Sequence, residues 1–230
     1  YTTLNLPAKL NLQWRRDLPR TAAPFAARGA FPDIDFCRPV QMGKTIFVPV
    51  TASDCLAAYN TDTGELRWRF YASGAVRRPP VALSLAGGVN VVIFGSDDGW
   101  VYALNAADGS VRWKFHAAPN NRMAMGFGRL SSVWPVWASP VASGGRLYFV
   151  AGYIPSFALY GYCVDPATGA VIWENDGRIS DRWNTSALGP LAVSFDRSRL
   201  YGTVEGACSP WMLDSATGDF LGHAGVGFGY

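Results

Sequence analysis

The sequence predicts an all-β chain, a β-propeller of four-stranded antiparallel blades, and three observations carry that prediction. One phrase recurs four times, two strand-like segments precede each copy, and helix signals are nearly absent. The first copy runs from Ala58 through Asn60 and Gly64 to Trp68, and the second from Ala103 through Asn105 and Gly109 to Trp113. A third runs from Cys163 through Asp165 and Gly169 to Trp173, and a worn fourth from Met212 through Asp214 and Gly218 to Gly222, where the Trp is lost. The Asx anchors lie 45, 60 and 49 residues apart, and Leu10–Trp14 reads as the tail of a further copy.

Each part of the phrase has a physical task. The apolar run before the Asx reads as a strand, as in Trp100 to Leu104. Asn or Asp then bends the chain by bonding its side chain to nearby backbone, and Gly supplies the positive φ that completes the turn. A second strand follows with Leu66 and Trp68, Val111 and Trp113, or Val171 and Trp173 on one face at period two.

Upstream, the strand-like pairs are Arg38–Gln41 with Thr45–Val50, Pro80–Leu85 with Val89–Phe94, Val136–Ala142 with Arg146–Ala151, and Ala187–Ser194 with Arg199–Thr203. Blades are therefore expected over 36–70, 79–115, 131–174 and 187–222, with the end of a preceding blade over 1–20 and the start of another over 223–230. A β-sandwich also has closely spaced short strands, but it does not demand one turn-plus-Trp phrase in every unit. Four blades of ordinary size are not expected to close a ring alone. The chain reads as part of a seven- or eight-bladed disc completed by further sequence or by a partner.

Composition narrows the function classes. Charged residues make up 16% and hydrophobic residues 49%, which excludes a disordered or coiled-coil chain. The 25 Gly and 15 Pro suit a chain of many turns. A net charge of +3 is too small to argue for nucleic acid, and apolar runs such as Val89–Phe94 are strand-sized, so no membrane-inserted segment is expected. With two His and four scattered Cys, neither a zinc site nor a c-type haem site is expected. The cysteines admit either one or two disulfides or buried free thiols. Gly126–Gly128 and Gly225–Gly229 lack the strand-to-helix context and the Lys of a phosphate loop, and read as turns. His116 and His223 have no catalytic partners in a recognisable motif and read as surface or capping residues.

Loop lengths are uneven between the two faces of the disc. The first-to-second and third-to-fourth strand connections are short throughout. The opposite face collects Leu18–Asp35, Tyr71–Arg78, His116–Leu130, Gly152–Ala158 and Asn175–Ser186 as irregular chain. A candidate binding face follows, with Arg77, Arg78, Arg122, Arg129, Tyr153, Arg178, Arg182 and Trp183 as its candidates. The competing reading is that these side chains plug gaps between blades.

The phrase A-x-D-x-x-T-G-x-x-x-W resembles the tryptophan-docking repeat of PQQ-like, quinoprotein-type β-propellers, from about Phe36 to Leu221. The stretch from Gly128 to Trp134 and on through Trp173 to Gly177 also looks like that of secreted bacterial members. The resemblance implies that Trp14, Trp68, Trp113 and Trp173 are structural, each packing between its own blade and the next. Some members are periplasmic dehydrogenases holding pyrroloquinoline quinone and calcium. Others carry no cofactor and serve as scaffolds.

This chain lacks the adjacent cysteines common in the alcohol dehydrogenases, and no calcium constellation stands out. No catalytic, cofactor-binding or metal residue is therefore assigned, and the balance is against an enzyme. The expectation is a non-catalytic scaffold or interaction module, extracytoplasmic, that works with a protein partner or the remainder of a longer chain. The alternatives are a fragment of a quinone- and calcium-dependent dehydrogenase and a glycan-binding surface module.

Overall fold

Every copy of the repeat phrase folds as a hairpin forming the third and fourth strands of a four-stranded sheet. The computed structural model describes residues 11–19, 38–126, 129–152, 157–176, 179, 189–202 and 210–224. The first sheet holds β1 (Val40–Met42), β2 (Thr45–Val50), β3 (Cys55–Asn60) and β4 (Leu66–Tyr71). The second holds β5 (Val81–Ser84), β6 (Asn90–Gly95), β7 (Trp100–Asn105) and β8 (Val111–His116). A separate hairpin follows, β9 (Met123–Gly126) with β10 (Arg129–Ser132). The third sheet holds β11 (Val141–Ser143), β12 (Arg146–Ala151), β13 (Tyr160–Val164) and β14 (Val171–Asn175). The fourth holds β15 (Ala192–Val193), β16 (Arg199–Gly202), β17 (Trp211–Asp214) and β18 (Phe220–His223). All four sheets are antiparallel meanders in sequence order, the blades of a β-propeller. Strand β1 lies against β5, and β11 against β15, so first strands meet at the inner rim and the Trp-bearing fourth strands lie outside.

The repeat is a repeat of geometry. Ala58 pairs with Trp68, Ala103 with Trp113, Cys163 with Trp173 and Met212 with Gly222, and a bulge follows each pair at the same place. The Gly N–H donates to the Asx carbonyl at 2.8–2.9 Å in all four turns, with Gly φ between 70° and 80°. The Oδ1 atoms of Asn60, Asp165 and Asp214 accept backbone N–H groups two residues on. Asn105 departs from this pattern. Its amide bonds Ser110 Oγ instead, and Asp108 takes over the backbone capping by accepting from Ser110 N–H.

Each indole docks on the following turn. Trp14 Nε1 donates to Thr61 O at 2.7 Å, Trp68 to Ala106 O at 3.2 Å, Trp113 to Pro166 O at 3.0 Å and Trp173 to Ser215 O at 3.0 Å. A Cβ on Gly64, Gly109, Gly169 or Gly218 would lie 2.5–2.9 Å from the docked ring. Glycine is thus required twice, by its φ and by the indole. Gly222, at the equivalent position of the fourth blade, has nothing within 4 Å of where a Cβ would stand.

Cores form between blades, because the central strands are buried on both faces. On β6, Val92 and Phe94 face the first blade with Phe47, Leu56 and Trp68, while Val91 and Ile93 face the third with Leu147, Phe149 and Tyr162. Period two therefore splits one apolar run between two interfaces. Tyr148, Val150 and Trp173 meet Leu200, Trp211 and Leu213 in the next one. Cys55 and Cys163 are buried free thiols within these blades, and burial pushes the Cys163 thiol up to about 11. Cys37 and Cys208 lie outside the described residues.

Three expectations give way. Of the strand expected over Ala187–Ser194, only Ala192–Val193 is strand among the described residues 189–194. The strand expected over Val136–Ala142 begins only at Val141. Pro135 and Pro140 cannot donate to a ladder, Val136 N–H is spent on Ser96 O at 3.1 Å, and Trp134, Val136, Trp137 and Ala138 are buried as the chain crosses between blades. His116–Leu130, expected to be irregular, instead holds strand β9 and the first half of β10. Its strands have four residues each, too few for an alternation to stand out from a loop. The turn expected at Gly126–Gly128 has Gly126 paired with Arg129, and residues 127 and 128 lie outside the described ones, as does Gly225–Gly229.

Candidate functional site

The β2–β3 and β6–β7 connections and the crossings between blades gather on one face, and the acidic groups there come from short turns. After β2, a single turn of 3-10 helix (Thr51–Ser53) ends at Asp54, a non-glycine residue at φ 52°. Between β6 and β7 runs Ser96-Asp97-Asp98-Gly99, with Gly99 at φ 85°.

Asp97 is the hub. Its Oδ2 accepts from Arg77 Nε at 2.7 Å and its Oδ1 from Trp137 Nε1 at 2.7 Å, joining the chain that enters the second blade to the chain that enters the third. The Arg77 guanidinium also lies 5.8 Å from the Trp137 ring centre. The Asp97 carbonyl accepts from Ser132 N–H at 2.7 Å, which anchors the β9–β10 hairpin. Burial pushes the Asp97 carboxyl upward, and the Arg77 guanidinium pulls it back. Asp98 caps the turn on the other side, accepting from Tyr102 Oη at 2.6 Å and from Ser73 N–H at 3.0 Å. Burial and that carboxylate together drive the Tyr102 hydroxyl far above its usual range.

The candidate residues take different places. Arg77 and Arg78 are both buried. Burial first, then the Arg77 charge, lowers the Arg78 guanidinium from its ordinary value, and Asp97 opposes this. Arg129 reaches from β10 to the first blade, donating from Nη1 to Thr51 O at 2.6 Å and from Nη2 to Asp54 Oδ2 at 2.7 Å. Arg122 is exposed, with its guanidinium 5.5 Å from the Phe157 ring centre. Tyr153, Arg178, Arg182 and Trp183 lie outside the described residues. His116 stacks on Trp100 at 4.6 Å between ring centres, and burial lowers its pKa. His223 meets Phe220 edge to face.

Sequence reasoning missed Asp97, Trp137 and the apolar side of the hairpin. Asp97 sits in what reads as an ordinary turn, and only the crossing of two loops over that turn makes it a hub. Met123, Met125 and Leu130 were hidden in a segment read as loop.

Meander blades stapled by indoles onto Asx–Gly turns define a β-propeller of tryptophan-docking repeats. A profile of the PQQ-like repeat family described as outer membrane protein assembly factor BamB matches residues 11–176 and 97–219, and the chain belongs to that family. Comparison with curated proteins finds no match. Among solved structures it is similar to BamB from Moraxella catarrhalis, at 16% identity and TM-score 0.55, over 81% of this chain and 47% of that one. It is also similar to quinohemoprotein alcohol dehydrogenase from Comamonas testosteroni, at 17% identity and TM-score 0.61, over 83% of this chain and 35% of that one. A third is the quinohemoprotein alcohol dehydrogenase ADHIIG from Pseudomonas putida HK5, at 15% identity and TM-score 0.60, over 81% of this chain and 33% of that one. The chain thus spans a third to a half of the length of these structures, and the likeness is one of fold.

The family resemblance implies a quinone and calcium for some members. No three His, Cys, Asp or Glu among the described residues gather as metal ligands, and Cys55 and Cys163 lie in different blades.

Proposed function

We propose that this chain is a non-catalytic propeller scaffold of an extracytoplasmic protein, working within a longer chain or a larger protein assembly and without a resident quinone or metal. One observation carries the reading. Among the described residues, several polar groups of the loop face are spent on one another: Arg77 and Trp137 on Asp97, Tyr102 on Asp98, and Arg129 on Thr51 and Asp54. Such a face holds blades in place and presents a shaped surface. Groups tied to one another in this way serve blade packing, which supports a structural role.

The family description, an outer membrane assembly factor, supports the envelope setting. The span of a third to a half of the matched structures supports further blades supplied by the same chain or by a partner.

The test is native mass spectrometry of the protein extracted from its own cells, together with fractionation of the envelope. The expected result is an extracytoplasmic species heavier than this chain that contains a defined partner or further blades. Oxidation of a primary alcohol that depends on added pyrroloquinoline quinone and calcium would overturn the reading in favour of the dehydrogenase.

A further inference from the structure

The β9–β10 hairpin differs from every other sheet among the described residues in having two strands, and only one of its outer edges bonds to described residues. Val133 N–H donates to Arg122 O at the base, facing the Arg122 carbonyl inward, while Arg122 N–H donates to Asn120 Oδ1. The alternation of an antiparallel ladder then turns the backbone groups of Ser132 and Leu130 outward from β10, and those of Met123 and Met125 outward from β9. On the β10 side, Ser132 N–H is taken by Asp97 O. On the β9 side, no backbone bond is made by Met123 or Met125 with any described residue.

Side chains follow the same pleat. Met123, Met125 and Leu130 share one face and are 38%, 73% and 57% exposed. Arg122 and Ala124 point to the opposite face. Arg122 is held by the Phe157 ring. From residue 117 to 140 the sequence contains Arg122 and Arg129 and no acidic residue. Among the described residues this strand edge has no backbone partner and Arg122 no ion pair, and an edge with an apolar face on one side and a cation on the other has the form of a strand-addition site.

We propose that the outer edge of β9 takes an extended segment of a partner protein in which apolar residues alternate with acidic ones. Resting on the scaffold reading, it names the docking edge. The partner's backbone would pair with Met123 and Met125. Its apolar side chains would cover the Met123, Met125 and Leu130 face, and its carboxylates would meet Arg122. Charge selects the acidic pattern, because an alternating basic segment would set like charges against Arg122.

The test uses the full chain and two short acetylated and amidated peptides, one alternating valine with glutamate and the other valine with lysine. Binding is followed by fluorescence anisotropy and by amide hydrogen exchange. The glutamate peptide is expected to bind and to slow exchange at the Met123 and Met125 amides, which bond no described residue. Met125→Pro removes an outward donor while sparing the hairpin's own bonds, and is expected to weaken binding about tenfold or more. Arg122→Glu is expected to shift preference to the lysine peptide.

Absence of binding, or binding unaltered by both substitutions, would overturn the proposal. Exchange in the unaltered chain decides the matter even if Met125→Pro disturbs the hairpin: binding without slowed exchange at Met123 and Met125 also overturns it. Self-association abolished by Met125→Pro, with neither peptide bound, would replace the acidic segment by a second copy of the chain. The scaffold reading fails separately. A native assembly that persists in the Met125→Pro protein leaves the scaffold standing and removes β9 as its docking edge.

Discussion

The two faces of the propeller solve the same problem, holding neighbouring blades together, in opposite ways. On the turn side, one device is used at every junction described: an indole lies on a glycine and donates to the carbonyl after the Asx, from Trp14 on Thr61 to Trp173 on Ser215. Among the described residues of the loop side no device is used twice. Asp97 joins the second and third blades through Arg77 and Trp137, whereas the hairpin is tied back to the first blade by Arg129 on Asp54 and Thr51. A contact made identically at each step requires the same residues at each step, so it appears as a repeat. A contact made once leaves no pattern.

That contrast can be broken at its strongest points. Trp68→Ala removes a buried ring from between two blades and is expected to cost about 3–5 kcal/mol. Asp97→Ala strips a buried guanidinium and an indole of their acceptor and is expected to cost a comparable 3–5 kcal/mol or so. Urea unfolding of both variants checks this. If only the tryptophan mattered, the loop face would be decoration and its network irrelevant to stability.

Glycine substitutions separate backbone strain from docking. Gly43→Ala, at φ 55° with open space around it, should lose about 1–2 kcal/mol for the left-handed conformation alone. Gly109→Ala, at φ 74° and 2.7 Å from the Trp68 ring, should lose clearly more. Equal losses, measured by the same unfolding curves, would mean that the indole does not depend on the bare glycine.

Smaller effects sharpen the comparison further. Met125→Ser changes an exposed side chain of the hairpin and is expected to alter unfolding by no more than about 0.5 kcal/mol, as befits a surface that shapes rather than supports. The smallest effect belongs to a turn. Hydrogen bonds from Ser194 and Ser198 hold the Asp196 carboxyl down at about 2, below its unfolded value. Its contribution is therefore present above the unfolded pKa and lost as pH falls towards 2. Asp196→Asn should narrow its gap in melting temperature from the unaltered protein as pH falls from 5 to that value, read by circular dichroism.

Much of the fold was legible. The strands around Asn60, Asn105, Asp165 and Asp214 fall where the phrase places them, because a turn needing an Asx, a glycine and an indole has little freedom of composition. The inner strands were less so. Val136 is apolar and flanked by apolar neighbours, yet two prolines and a bond to Ser96 draw it out of the ladder. On the loop face, the arginines were visible as candidates but their partners were not. Arg77 and Arg129 pair with Asp97 and Asp54, which lie 20 and 75 residues away along the chain. Nothing in composition singles out those two aspartates from Asp33, Asp35, Asp176 and Asp181.

By itself, then, the amino-acid order determined the blade. Local turn chemistry, period-two alternation and the Trp at a constant distance are properties of contiguous residues, and each is written within a single copy. Tertiary structure alone decided what happens between copies on the loop side. Which carboxylate accepts from Arg77, and which edge of β9–β10 meets Asp97, depend on segments brought together by blade packing rather than by neighbouring positions in the chain. An ion pair such as Arg129–Asp54 is chosen by distance in space, and the sequence records only the residues that were available to make it.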